Sequence, residues 1–191
     1  MSAGIKTVSL DPVIKKLEES GFYWGAISAV KAKSLLREKP VGQFLVRDSS
    51  DSRHLFTITL VTATGITNVR INFTEGFFSL DRNDTFMEPT NEEVKNYSPP
   101  KFDCVVKMVF YYMLVSTGIL QAKEKVTKTL GNRGTPKFTL WSPLYKEVSS
   151  LQHLCRRALN RQILATGGTD VKQTSIPHPV KSYLSQYPYP M

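Results

Sequence analysis

QFLVRDSS, residues 43–50, is the stretch on which the reading of this chain turns. Its first four residues have the apolar, branched and aromatic character of a strand. Arg47 then follows directly on Phe44, Leu45 and Val46. Arginine is seldom fully buried without a partner. A buried guanidinium left without one costs on the order of 3–5 kcal/mol. One solution is internal: a half-exposed Arg47 pairing with Glu38 or Asp51. Asp48 is adjacent, but successive strand residues point to opposite faces. The other solution is an external anion. Ser49 and Ser50 offer hydroxyls and turn amides, a nest suited to phosphate oxygens. Thr57 offers a hydroxyl from the next strand, and Arg70 points at the same spot from the third. The planar fork of arginine meets a phosphate bidentately, which lysine does not.

Residues 54–62 read as the second strand, with Thr57, Thr59 and Val61 on one face and Phe56, Ile58 and Leu60 on the other. Residues 67–73 read as the third: Asn68, Arg70 and Asn72 face one way, Val69, Ile71 and Phe73 the other. Short links at 49–53 and 62–65 imply antiparallel neighbours. A smaller strand is expected over 76–80 and another over 137–145, ending at Pro143. Helices are expected over 11–20, stopped by Gly21, and over 28–37, capped by Ser28. Two more are expected over 102–114 and 149–163. Residues 82–101 and 116–136 read as loops, and 165–174 as a linker. The fold class is α+β: a small antiparallel sheet between two helices, followed by a helical tail.

Composition narrows the function. The 191 residues carry 25 basic and 16 acidic side chains, a surplus of +9 that favours anionic partners. Nucleic acid is not expected, because neither aromatic-basic alternation nor zinc spacing is present. Two cysteines, Cys104 and Cys155, make no disulfide framework and suit a reducing compartment. The opening MSAGIKT lacks a signal-peptide core. The longest apolar run, 104–115, is broken by Lys107 and is too short to span a bilayer. A cytoplasmic protein without membrane insertion is expected. His54, His153 and His178 are far apart, so no metal, cofactor or catalytic cluster is expected.

The tail begins with SLQHLCRRALNR, residues 150–161. Leu151, Cys155 and Leu159 fall four apart on one helical face, with Leu154 and Ala158 beside them. Arg156, Arg157 and Arg161 lie on the other side. Such a stripe ordinarily packs on the chain's own core. Cys155 to Arg161 also satisfies C-x5-R, the spacing of a phosphate-ester hydrolase. That chemistry needs a loop whose amides converge on phosphate. RRALN has no glycine and holds good helix formers, so a phosphatase is set aside.

FYWG (22–25), FLVRDSS (44–50) and FDCVVKMVFYYM (102–113) together resemble the Src-homology-2 domain, the phosphotyrosine-binding module. The resemblance implies that Arg47 binds two phosphate oxygens and that Ser49, Ser50 and Thr57 line the pocket. Two positions depart from the pattern: Ala29 stands where many such domains place a second arginine, and Asn68 replaces a common histidine. Arg70 is then the expected second contact. SLQHLCRRAL resembles the elongin-binding motif of a SOCS box, which implies elongin contacts for Leu151, Leu154, Cys155 and Leu159. IPHPVKSYLSQY (176–187) resembles the cullin-recognition motif, which implies cullin contacts for Ile176, Pro177, Pro179, Val180, Leu184 and Tyr187. His178 stands at a position the pattern keeps apolar.

A phosphotyrosine module followed by a SOCS box resembles the suppressor of cytokine signalling family. The implied layout is a tail and bracing helix over 1–21, the phosphotyrosine module over 22–145 and the SOCS box over 146–191. The implied function is a non-catalytic substrate receptor. It would bind phosphotyrosine peptides of cytokine receptors or Janus kinases and recruit elongin C, elongin B and a cullin scaffold. The alternative is a stand-alone adaptor that blocks receptor docking sites. IKTVS (5–9) lacks the phenylalanine of the inhibitory segment that two members carry further upstream, so direct kinase inhibition is not expected.

Overall fold

The computed structural model describes residues 10–85, 99–118, 138–165 and 176–191. The expected loop segments 86–98 and 119–136, most of the 165–174 linker and the IKTVS stretch lie outside these residues. The chain divides into two compact units, Met1–Lys146 and Glu147–Met191.

The first unit is built on a five-stranded sheet of order β4-β3-β2-β1-β5. Its strands are β1 (Gln43–Asp48), β2 (Phe56–Thr62), β3 (Gly65–Thr74), β4 (Phe77–Leu80) and β5 (Ser142–Pro143). Strands β1 to β4 are antiparallel neighbours, whereas β5 runs parallel to β1. The helices are α1 (Asp11–Glu19), α2 (Ala29–Leu36), the short α3 (Arg82–Thr85) and α4 (Val105–Ser116). This is the α+β architecture expected from the strand and helix signals.

Strand alternation divides the sheet as expected. On one face Phe44, Val46, Phe56, Ile58, Leu60, Val69, Ile71, Phe78 and Leu80 are buried. Each such side chain contributes about 1.5–3 kcal/mol of burial. Helix α4 packs against β4, and α1 packs against α4. On the other face Leu45 joins Ala32 and Leu36 of α2, with Trp24, Ile27 and Val61 around them. Ser28 caps α2 by accepting the Lys31 N–H at 3.1 Å.

Several bounds differ from expectation for identifiable reasons. Strand β2 starts at Phe56 because the His54 N–H is committed to the Asp51 carbonyl in a turn. Helix α4 starts late because Phe102 exchanges backbone hydrogen bonds with Phe78, at 2.8 and 2.7 Å. Strand β5 comprises only Ser142 and Pro143, and its link to β1 continues past the proline, where the Leu144 N–H donates to Phe44 O at 2.6 Å. The outer edge of β1 is instead covered by the FYWG segment. Val46 N–H donates to Phe22 O at 3.0 Å, Trp24 N–H to Val46 O at 2.8 Å and Asp48 N–H to Gly25 O at 3.0 Å. That cover makes β1 an interior strand, so its arginine is buried.

Gly42 sets the entry to β1. Its φ is +87°, and a Cβ there would meet Trp141 Cβ at 2.7 Å while the Trp141 N–H donates to Gly42 O at 2.7 Å. Gly42→Ala is expected to lower unfolding stability by about 1–3 kcal/mol, read by urea denaturation. An unchanged midpoint would refute the tight approach.

The second unit holds α5 (Leu151–Ala165) and α6 (His178–Gln186). Its interior comprises His153, Arg156 and Asn160 from α5 and Leu184, Tyr187, Tyr189 and Met191 from α6 and the chain end.

Candidate functional site: a buried arginine and an exposed apolar stripe

Strand β1 places Arg47 opposite Thr57, and Thr57 lies opposite Arg70 on β3. All three share the α2 face of the sheet. Arg47 is only 3% exposed. Its Nε–H donates to Thr59 Oγ1 at 3.1 Å, its Nη1 to Asp48 O at 2.8 Å and to Ser50 Oγ at 3.3 Å, and its Nη2 to Asn68 Oδ1 at 3.3 Å. The Thr59 hydroxyl donates to Asn68 Oδ1 at 2.8 Å, which locks both acceptors. Every one of these acceptors is neutral. No carboxylate among the described residues forms an ion pair with Arg47. Burial pulls the guanidinium below its ordinary value, and the Asp48 carboxylate acts in the opposite direction. It remains protonated at physiological pH.

The internal-carboxylate solution fails for geometric reasons. The Asp48 side chain points to the opposite face, where the Tyr23 hydroxyl donates to its carboxylate. Burial, with that carboxylate beside it, pushes the Tyr23 phenol well above its ordinary value. Asp51 is committed to Arg53, whose Nε and Nη2 donate to it at 3.0 and 2.8 Å. Those bonds hold its carboxyl well below the usual carboxylate range.

The 49–53 turn forms the rim. Ser49 Oγ accepts the Asp51 N–H at 3.1 Å, and Ser50 is exposed with its hydroxyl at Arg47. Thr57 is buried between the two arginines in register. Sequence reasoning placed Thr59 on this face but gave it no role. It noted Asn68 only as a departure. The structure puts both in contact with Arg47. The signal was available: Thr59 has the parity of Thr57, and the β2–β3 register sets it opposite Asn68.

Arg70 departs from expectation. It is on the expected face, but its Nη1 donates to Asp84 at 3.0 and 3.1 Å, and its Nε lies 3.8 Å from Asp51. Its guanidinium is thus held by carboxylates of the same chain.

The second unit inverts the usual amphipathic arrangement. The stripe is exposed: Leu151 is 78% exposed, and Leu154, Cys155 and Leu159 are also exposed. The buried side of α5 is polar. The Arg156 guanidinium sits 4.4 Å from the Tyr183 ring centroid and 5.0 Å from that of Tyr187. Asn160 Nδ2 donates to the carbonyls of Tyr187 at 2.6 Å and Tyr189 at 3.2 Å. Cys155 and Arg161 lie within one continuous helix, so C-x5-R forms no phosphate loop here.

The cullin-motif residues divide. Pro177, Pro179 and Val180 are exposed and Ile176 is partly so. Leu184 and Tyr187 are buried in the unit's interior, and the Tyr187 ring packs on His153 and Arg156 of α5. Among the described residues no group of His, Cys, Asp and Glu is arranged to hold a metal ion. Nor is any described helix long and apolar enough to cross a membrane.

Both modules of the chain match known families. Residues 22–112 match the SH2 domain, and residues 147–185 match the SOCS box. Suppressor of cytokine signaling 3 of Gallus gallus is 37% identical over 186 residues, covering 93% of this chain and 82% of that protein. Its Homo sapiens counterpart is 32% identical over 201 residues, covering 93% of this chain and 84% of that protein. Suppressor of cytokine signaling 2 of Homo sapiens is 35% identical over 181 residues, covering 94% and 81%. With both modules in order and similarity running through both, the chain belongs to the suppressor of cytokine signalling family.

Proposed function

We propose that this chain is a phosphotyrosine-binding substrate receptor of an elongin–cullin ubiquitin ligase that damps cytokine-receptor signalling. Arg47 carries the reading. A buried, charged guanidinium whose partners are all neutral is matched by a dianion arriving from outside. Ser50, with Ser49 and Thr57 beside it, lines the approach. The relatives are named suppressors of cytokine signaling, and on this reading the phosphotyrosines lie on cytokine receptors or their Janus kinases.

The second half of the reading rests on α5. Exposed leucines beside a polar, buried inner face suit a partner's apolar groove. Leu151, Leu154, Cys155 and Leu159 would dock on elongin C, which is paired with elongin B. Ile176, Pro177, Pro179 and Val180 would face the cullin. Ubiquitin would be transferred by other subunits, so the chain itself needs no nucleophile.

A capture assay separates this from a stand-alone adaptor. An immobilised phosphotyrosine peptide should retain the chain, and the chain should then retain elongins B and C. Leu154→Asp should weaken elongin capture by about 2 kcal/mol or more while peptide binding persists. Peptide binding without elongin capture by the native chain would leave the adaptor that only blocks docking sites.

A further inference from the structure

The Arg70 guanidinium is 44% exposed, two strands from Arg47, yet its own chain holds it. Both oxygens of Asp84 accept from its Nη1, and Asp84 Oδ2 also accepts the Arg70 backbone N–H at 3.0 Å. The backbone bond makes this more than a flexible surface pair. The β3–β4 ladder runs from Thr74↔Phe77 to Ile71↔Leu80 and stops before Arg70. The Asp81 N–H then donates to Arg70 O at 2.8 Å, and α3 turns Asp84 back onto the strand. The carboxylate is fixed against β3 where the ladder ends, beside the face that presents Arg47.

We propose that Asp84 is an affinity-setting residue of the phosphate site, holding Arg70 with a built-in carboxylate that an aryl phosphate monoester must displace or share. The inference rests on the phosphotyrosine reading of Arg47. Carboxylate and phosphate oxygens seek the same N–H edges of a guanidinium. A phosphate dianion approaching Arg70 also meets the like charges of Asp84 and Asp51. Arg47, bonded only to neutral acceptors, carries no such competitor. The site therefore works with one committed cation and one restrained by Asp84.

The test is a titration of the full chain with phenyl phosphate, followed by amide chemical shifts on β1 and β2. Asp84→Asn keeps an oxygen for the Arg70 N–H and removes the charge. It is expected to bind about fivefold more tightly. Arg70→Ala is expected to cost the native chain less than about twofold, yet to abolish the gain when added to Asp84→Asn. A gain that survives Arg70→Ala would mean simple charge removal and would overturn the proposal. So would an Asp84→Asn affinity equal to native while Arg47→Lys abolishes binding. If Asp84→Asn does not fold, Arg70→Ala alone decides: a loss of about tenfold or more shows that Arg70 already serves the phosphate, and less than about twofold supports the restraint. Native-like binding by Arg47→Lys would overturn the phosphotyrosine reading itself, and this inference with it.

Discussion

Arg47→Lys is expected to cost about 2–5 kcal/mol of phosphotyrosine-peptide affinity, measured by calorimetry on the full chain. The substitution keeps the positive charge and nearly the same length. What it removes is the fork. Arg47 reaches Thr59, Ser50 and Asn68 with three different nitrogens, which fixes the plane of the guanidinium. An ammonium has three donors on one rotating centre and presents no planar edge to two phosphate oxygens. It is also more strongly hydrated, so burial costs it more. The fold should tolerate the change, because Thr59 and Asn68 remain bonded to each other. A loss of binding with thermal unfolding nearly unchanged would therefore report on the site. Affinity within error of native would remove Arg47 from the phosphate and require another cation for it.

Tyr187→Ala is expected to unfold the second unit, at a cost of about 3–5 kcal/mol. The ring is fully buried. It meets His153 edge-on at 5.0 Å and Tyr189 at 5.3 Å, and its hydroxyl donates to Met191 O at 2.8 Å. The Arg156 guanidinium lies over its face. Truncation leaves a cavity and removes one of the two aromatic faces that offset burial of that arginine. A unit this small has little reserve stability. Amide hydrogen exchange should then show loss of protection in α5 while β1 and β2 stay protected. Leu154→Asp, an exposed position, should leave that protection intact and affect only partner capture. Unchanged α5 protection in Tyr187→Ala would mean that the tyrosine-lined interior does not hold the unit together.

Strand parity was legible in the residues themselves, and long-range pairing was not. The alternation in β2 and β3 assigned Thr57, Thr59, Asn68 and Arg70 to one face, and the register confirms that assignment. Strand parity is a local property, fixed by backbone geometry at each residue. The bounds of β2 and α4 shifted because turn and bridge constraints compete with the hydrophobic pattern at element ends. The cover over the β1 edge was not legible. FYWG carries aromatic character, but its pairing with Val46 joins segments more than twenty residues apart in sequence.

Local pattern was enough for the strand carrying Arg47, the faces of the central strands, the helical spacing of Leu151, Cys155 and Leu159, and the family motifs. All of these depend on neighbours within one element. Tertiary structure decided the two points that spacing leaves open. It gave Arg70 to Asp84, fourteen residues away, because α3 folds back where the β4 ladder ends. It also turned the polar side of α5 inward. Periodicity specifies that a helix has two faces, while burial goes to whichever face its neighbours satisfy. Here the rings of Tyr183 and Tyr187 and the carbonyls of Tyr187 and Tyr189 match Arg156 and Asn160, and the leucines are left outside.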